Sequence, residues 1–297
     1  MKNRAPIILN CFSRGGSNIL WNILLSHPEA CSPIEETLQI FRFDWRAPRW
    51  SGLQAILRTR QLRFFDQWNL SPRHPISASA QGYIDSTLFD WKMKTVQDDE
   101  MRYKAENAVY TPEEVANARL VLKNNNGLTF LAEHLHSTYQ DTTFLALVRD
   151  PVPLYESHQR HRTPAGRSIE DFAIFYEKMI GQMQLDAARW RNYHIVRFED
   201  MLSDPLGTMR KVYAWCGLDA EKVTKLRFKA KPHTQADGSH RTDYQEGRHY
   251  WFAFNEIDTM LDPEVNRHQE SKLDPTEAER LRVLTRETCQ SLGYILA

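Results

Sequence analysis

The stretch from Pro6 to Pro28, PIILNCFSRGGSNILWNILLSHP, decides how the chain is read. Its apolar run from Pro6 to Cys11 predicts a buried strand, and Phe12-Ser13-Arg14-Gly15-Gly16-Ser17-Asn18 forms a polar turn behind it. Ile19, Ile23 and Leu24 then recur at helical spacing up to His27-Pro28. Strand, glycine turn and helix in that order aim backbone N–H groups and the positive end of a helix at an anion. Gly15 and Gly16 let a phosphate come close to the backbone, and Arg14 adds a permanent cation. The same arrangement occurs in α/β proteins that bind no phosphate, and this turn lacks the Gly-Lys-Ser/Thr ending of the nucleoside triphosphate P-loop. On this stretch alone, an anion cradle and a plain structural turn both stay open.

Composition narrows the class. The 297 residues are 41% hydrophobic and 26% charged, as expected of a soluble globular protein. Lys plus Arg equals Asp plus Glu at 38 each, so no global field argues for nucleic acid as a partner. The four cysteines, Cys11, Cys31, Cys216 and Cys289, have no C-x-x-C spacing and read as reduced, buried thiols. The apolar run after Met1-Lys2-Asn3-Arg4-Ala5 is too short for a signal peptide, and no stretch reaches the roughly 18 apolar residues of a membrane span. A cytoplasmic location is expected.

Beyond the opening unit, residues 41–75 change character. Seven arginines (Arg42, Arg46, Arg49, Arg58, Arg60, Arg63, Arg73) face two acids (Asp44, Asp66), with Trp45, Trp50 and Trp68 between them. Such a segment suits either a lid over an anionic or sugar-like substrate or a helical surface packing through its aromatics, and residues 76–110 read as its continuation. Regular alternation then resumes. Thr111-Pro112-Glu113-Glu114 carries the signals of a helix start. Arg119 to Lys123 predicts a short strand, Leu128 to Tyr139 a helix, and Thr143 to Val148 a buried parallel strand. Ser168 caps a helix whose stripe Ile169, Phe172, Tyr176, Met179, Met183, Ala187, Trp190 marks core. A strand is expected over His194 to Phe198, a helix from Asp204-Pro205 to Cys216, a mobile loop over Lys229 to Tyr250, and a last helix over about 275–292. One α/β domain spanning 1–297, with a largely helical insertion or lid near 40–110, accounts for the pattern.

Three separated stretches now combine. They are Arg14-Gly15-Gly16-Ser17-Asn18 in the first turn, Arg149 at a strand end with Ser157 eight residues on, and VRFEDML (Val196 to Leu202) followed by Asp204-Pro205 and Cys216-Gly217-Leu218. In order and spacing they resemble the PAPS-dependent sulfotransferase superfamily, of bacterial type. The resemblance spans residues 6 to about 218 and leaves out the Arg/Trp insertion. It implies a P-loop-like three-layer fold with a central, mainly parallel sheet, PAPS as sulfate donor and PAP as product, and no metal. Arg14, Gly15, Gly16, Ser17 and Asn18 would hold the 5′-phosphosulfate, and Arg149 with Ser157 the 3′-phosphate. PAPS is anionic at both ends of an adenosine, which agrees with two separated phosphate sites.

Glu35-Glu36-Thr37 resembles the stretch that supplies the base in the tyrosylprotein branch, whose second Glu matches Glu36; Glu35 is the fallback. A carboxylate can take the acceptor proton if burial or its neighbour raises its pKa. Lys123 resembles the family's lysine that stabilises charge on the leaving phosphate. The cytosolic branch places a catalytic His two residues after a comparable Lys, where this chain has Asn125, so His134 and His136 read as structural or surface residues. The chain departs from the pattern at Asn18, where a hydroxyl is common, at Leu38, where the tyrosylprotein branch carries Arg, and at Asn124 to Asn126, which replace a Lys-x-Pro turn. Arg241 is the candidate from a late segment that closes over the nucleotide. The expected acceptor is a small molecule with a hydroxyl, or an amine. A nucleotide-dependent phosphotransferase and a non-catalytic nucleotide-binding protein are the alternatives.

Overall fold

The structure is a computed structural model that describes residues 1–41, 78–229, 245 and 247–294. The opening unit forms β1 (Ile7–Cys11) and α1 (Ser17–Leu25), followed by β2 (Ala30–Cys31) and a short α2 (Leu38–Phe41). Next come α3 (Ala78–Met93), the hairpin β3 (Tyr103–Ala105) and β4 (Ala108–Val109), and α4 (Pro112–Asn117). The middle of the chain alternates β5 (Arg119–Asn125), α5 (Ala132–Thr138), β6 (Thr143–Val148), α6 (Pro151–Arg160), α7 (Ile169–Arg189) and β7 (Tyr193–Arg197). It continues with α8 (Phe198–Ser203), α9 (Pro205–Trp215), β8 (Lys225–Lys229), β9 (His249–Ala253), α10 (Val265–Glu270), α11 (Pro275–Leu284) and α12 (Arg286–Ser291).

Five strands form one sheet in the order β2-β5-β1-β6-β7, and every pairing in it is parallel. The strand alternation sorts the core into two layers. Ile7, Leu9 and Cys11 pack with Leu20, Ile23 and Leu24 of α1 and Met209, Val212 and Tyr213 of α9. Ile8 and Phe12 point the other way, toward Ile84 and Leu88 of α3 and Phe172, Tyr176 and Met179 of α7. Helices thus cover both faces, which is why β1 apart from Asn10, and β6 from Phe144 onward, are apolar on both sides. β5 and β6, consecutive strands of the sheet, lie on either side of β1. That is the switch of strand order at whose carboxyl edge doubly wound sheets bind ligands.

One polar chain crosses this apolar sheet. Asn10 and Asn124 are partners in register and both fully buried. The Asn124 amide donates to Asn10 Oδ1 at 3.1 Å, and the Asn10 amide donates to the Tyr193 hydroxyl at 3.1 Å. Left unpaired, each such group would cost about 1–3 kcal/mol.

The start of α4 follows its sequence signal: Glu114 N–H donates to Thr111 Oγ1 at 3.2 Å and Thr111 N–H to Glu114 Oε2 at 2.8 Å. Three expectations need correction. β5 does not stop at Lys123 but runs to Asn125, because Asn124 and Asn125 keep pairing with Asn10 and Cys11. The expected helix from Leu128 begins as a tight 3₁₀ turn over Asn126–Leu131 and becomes α-helical only at Ala132. The stretch read as a mobile loop contains strand: His249 pairs with Lys229, and Phe252 with Leu226, in an antiparallel β8–β9 ribbon whose Leu226, Phe228 and Phe252 enter the core. The expected insertion joins the core from α3 onward, where Ala80, Ile84 and Leu88 are buried. There Lys92 is wholly buried and donates to the carbonyls of Ala116 and Ala118 at 3.0 and 2.7 Å. The seven arginines and three tryptophans of 41–75, and Arg241, lie outside the described residues.

Candidate active site

The first turn leaves β1 at the carboxyl edge of the sheet. Arg14 adopts a left-handed backbone (φ 66°), and so does Gly16 (φ 86°), the residue just before α1. Gly16 has a second constraint: a Cβ there would meet Phe198 Cε2 at 2.1 Å, so the ring packs directly against the turn. Asn126, itself left-handed at φ 51°, fastens the turn to the end of β5. Its Oδ1 accepts from Ser13 N–H at 2.8 Å and its Nδ2 donates to Ser13 Oγ at 2.9 Å. Asparagine tolerates this backbone region better than other side chains that can bond the turn in this way. In the first turn of α1, Ile19 N–H donates to the Gly16 carbonyl at 2.9 Å, while the N–H groups of Ser17 and Asn18 have no intrahelical partner. Arg14 and Asn18 are exposed beside them.

Lys123 and Asn18 meet here. The ammonium donates to Asn18 Oδ1 at 3.0 Å and lies 5.3 Å from the centre of the Trp21 ring. Asn18, the position without the family's usual hydroxyl, therefore serves as the acceptor that holds Lys123 over the start of α1. Glu36 is exposed at the start of α2. Both groups act on the wholly buried Cys11 thiol. Burial pushes its pKa up to about 12, Lys123 and the nearby Ser17 hydroxyl pull it down, and Glu36 pushes it up. The thiol is thus an electrically inert floor, with Lys123, Ser17 and Glu36 around it.

Arg149, at the end of β6, is a buried hub. Nη1 donates to the Arg14 carbonyl at 3.0 Å, Nε and Nη2 both donate to Asn266 Oδ1 at 2.9 and 2.6 Å, and Nη2 also donates to Gln269 Oε1. Its guanidinium carbon sits 4.4 Å from the centre of the Phe198 ring. Of the five N–H hydrogens of a guanidinium, these contacts leave one on Nη1, on the Arg14 side. Burial lowers the pKa of Arg149 to about 10, against the attraction of Glu199 and Asp150. Ser157 lies buried on α6, which starts directly after Arg149-Asp150. The first turn and Arg149 are therefore joined through a backbone carbonyl, which the sequence did not disclose. Sequence reading also missed Asn126, Phe198, Asn266 and Gln269. Only the left-handed preference of an asparagine at a strand end could have flagged the first of them.

His158, next to Ser157, is fully buried, with Nδ1 2.6 Å from Thr163 Oγ1 and no hydrogen-bond partner at Nε2 among the described residues. Burial lowers its pKa from 6.5 to about 4, helped by Arg14, His161 and Arg149; the nearby Ser13 backbone, outside hydrogen-bond geometry, pulls the other way. Between those two pH values the unfolded chain binds the proton and the folded one does not, so this group's contribution to stability falls as pH falls from 6.5 to 4. Asp150, whose carboxyl is raised to about 6 mainly by burial, works in the opposite sense. A His158→Gln variant isolates the histidine. From pH 7 to pH 4 the wild type is expected to lose about 3 kcal/mol more stability than H158Q, measured by urea unfolding. Equal losses would show that the ring is protonated in the folded protein.

Among the described residues no group of three or more His, Cys, Asp or Glu side chains is arranged to hold a metal ion. No helix there is long and apolar enough to cross a membrane. The four cysteines are free and buried.

Comparison with known proteins gives the family relationship. In solved structures the fold is matched by the sulfotransferase domain of the Synechococcus PCC 7002 olefin synthase, at a TM-score of 0.51 and 18% identity, covering 100% of this chain and 98% of that one. The sulfotransferase domain from the curacin biosynthetic pathway matches at 0.53 and 13%, covering 99% and 100%. No curated protein matches the chain. The model of the sulfotransferase family matches residues 6–222, which takes in the glycine turn, Lys123, Arg149 and the VRFEDML unit but not α10. The chain belongs to the sulfotransferase family.

Proposed function

We propose that the protein moves the sulfuryl group of PAPS to a hydroxyl, or an amine, of a small metabolite, lipid or sugar. The observation that carries this reading is the turn itself. Gly16 cannot bear a Cβ, Arg14 is exposed with its guanidinium on the His161 ring nitrogen, and the Lys123 ammonium is fixed to the first turn of α1. This is a cradle for an anion with a cation held at its side. The residues fit PAPS at both ends: Arg14, Gly15, Gly16, Ser17 and Asn18 at the 5′-phosphosulfate, and Ser157 with the remaining N–H of Arg149 at the 3′-phosphate.

PAPS supplies the activated S–O bond when it is bound. The residues of the chain do the rest by positioning and charge, as in phosphoryl transfer. Glu36 accepts the proton of the acceptor hydroxyl while its oxygen bonds to sulfur and the S–O bond to the 5′-phosphate breaks. Lys123 stabilises the negative charge that grows on that departing phosphate oxygen, an interaction that strengthens as the bond lengthens. Glu36 is exposed and so open to an acceptor. Outside the described residues, the Arg/Trp stretch is proposed to meet the acceptor and Arg241 to contact the nucleotide.

Calorimetric titration with PAP tests the reading. The wild type is expected to bind it, and Arg14→Ala to bind it about tenfold or more weakly, as expected for loss of a charge-assisted contact. Absence of binding by the wild type would overturn PAPS as the donor. Radiolabelled sulfate from PAPS, offered with a metabolite extract and followed by mass spectrometry, would then identify the acceptor.

A further inference from the structure

We infer that Asn266 is a positioning residue that keeps Arg149 available to a 3′-phosphate by standing between its guanidinium and Glu199. The inference rests on the reading of Arg149 as part of a PAP site, and it adds a residue from α10, outside the region matched by the family model.

The geometry is that of an insulator. Asn266 Oδ1 accepts from Nε and Nη2 of Arg149 at 2.9 and 2.6 Å, while its Nδ2 donates to Glu199 Oε1 at 2.6 Å. The amide can sit only this way round, because a guanidinium only donates and a carboxylate only accepts. Glu199 is itself tied down: Oε1 also accepts from Asp150 N–H at 3.1 Å, and Oε2 from the Tyr294 hydroxyl at 2.7 Å. Glu199 is the strongest of the charges acting on buried Arg149. The Nε–Nη2 edge is one of the edges a carboxylate can grip in a two-pronged pair. Asn266 occupies that edge with a neutral group. The guanidinium is thereby ordered without being neutralised by contact, and its remaining hydrogen lies on the Arg14 side, where the first turn would present a nucleotide. Removing the amide would leave nothing neutral bonded between this fixed carboxylate and Arg149, so that the charge of Glu199 bears directly on the guanidinium and offsets the charge that a phosphate needs.

The test is calorimetric titration of the full chain with PAP and with 5′-AMP, which lacks the 3′-phosphate. Asn266→Ala is expected to weaken PAP by about tenfold while leaving 5′-AMP within about twofold. Adding Glu199→Gln in that background is expected to bring PAP back to within about threefold of the wild type. A merely structural role for Asn266 would not produce such a rescue, because the second substitution cannot refill the space left by the first. Asn266→Asp keeps the side-chain shape and places a carboxylate directly on the guanidinium, so it covers the case in which N266A does not fold. N266D too must lose PAP and spare 5′-AMP. Wild-type affinity for PAP in N266A, or in N266D if N266A does not fold, overturns the inference alone, as does a double variant no better than N266A. A wild type that fails to bind PAP overturns the functional reading and this inference with it.

Discussion

Gly16→Ala is expected to abolish PAP binding and to lower the unfolding free energy by about 2–4 kcal/mol. Two causes add. The backbone stands at φ 86°, which an L side chain resists by about 1–2 kcal/mol. The new methyl would lie 2.1 and 2.3 Å from Cε2 and Cδ2 of Phe198, a contact that only movement of the ring or the turn can relieve. That ring also lies against the Arg149 guanidinium, so its displacement disturbs both proposed ends of the nucleotide site. Gly15→Ala is the control. Its Cβ would meet Phe12 O at 3.1 Å and Phe12 Cβ at 3.2 Å, a tight contact without positive φ, and a smaller loss is expected. Urea unfolding and PAP titration check both variants. A G16A protein that binds PAP like the wild type would rule out the turn as the cradle.

Lys123→Met is expected to have the complementary effect. Turnover should fall by about 10²–10³, the usual consequence of losing a group that stabilises charge only in the transition state. PAP affinity should change by no more than about threefold, because the ammonium is proposed to strengthen its contact only as the S–O bond breaks. Methionine keeps an unbranched stem against Trp21, so packing is preserved while the charge and the bond to Asn18 are lost. The readout is kcat under saturating PAPS beside calorimetric PAP affinity. A kcat within twofold of the wild type would remove Lys123 from the chemistry. Loss of affinity without loss of kcat would make it a binding residue instead.

The opening strand–turn–helix, β6 and α7 were legible because buried parallel strands and amphipathic helices write their burial into local periodicity. The helix starts at Thr111, Ser168 and Asp204 were equally readable, since a cap and its partners lie within three residues. β8 and β9 were not. Their pairing joins Lys229 to His249 across 20 residues, and His, Lys and Arg in the sequence hid the apolar face formed by Leu226, Phe228 and Phe252. At the site, Gly16 and Lys123 could be proposed from position in a motif. The bonding of Arg149 could not, because its main partner Asn266 is 117 residues away and asparagine is too common to stand out. Sequence reading treated Arg149 as a ligand awaiting a phosphate, whereas the structure shows most of its hydrogens already engaged within the protein.

The buried amides of Asn10 and Asn124 reach further than the sheet they cross. Apolar strands in parallel can slide past one another with little chemical protest, but these two cannot. A slip of one residue would turn β5 over and set Asn10 opposite Lys123 or Asn125, and a slip of two toward the amino end would set it opposite Leu122. Either would strand buried amides at about 1–3 kcal/mol apiece. The pair is a key cut into the joint between the two strands. It fixes how far β5 advances beside β1, and so the height at which Lys123 meets the first turn of α1. Alterations at Asn10 or Asn124 would therefore be felt at Lys123, although both side chains are buried within the sheet.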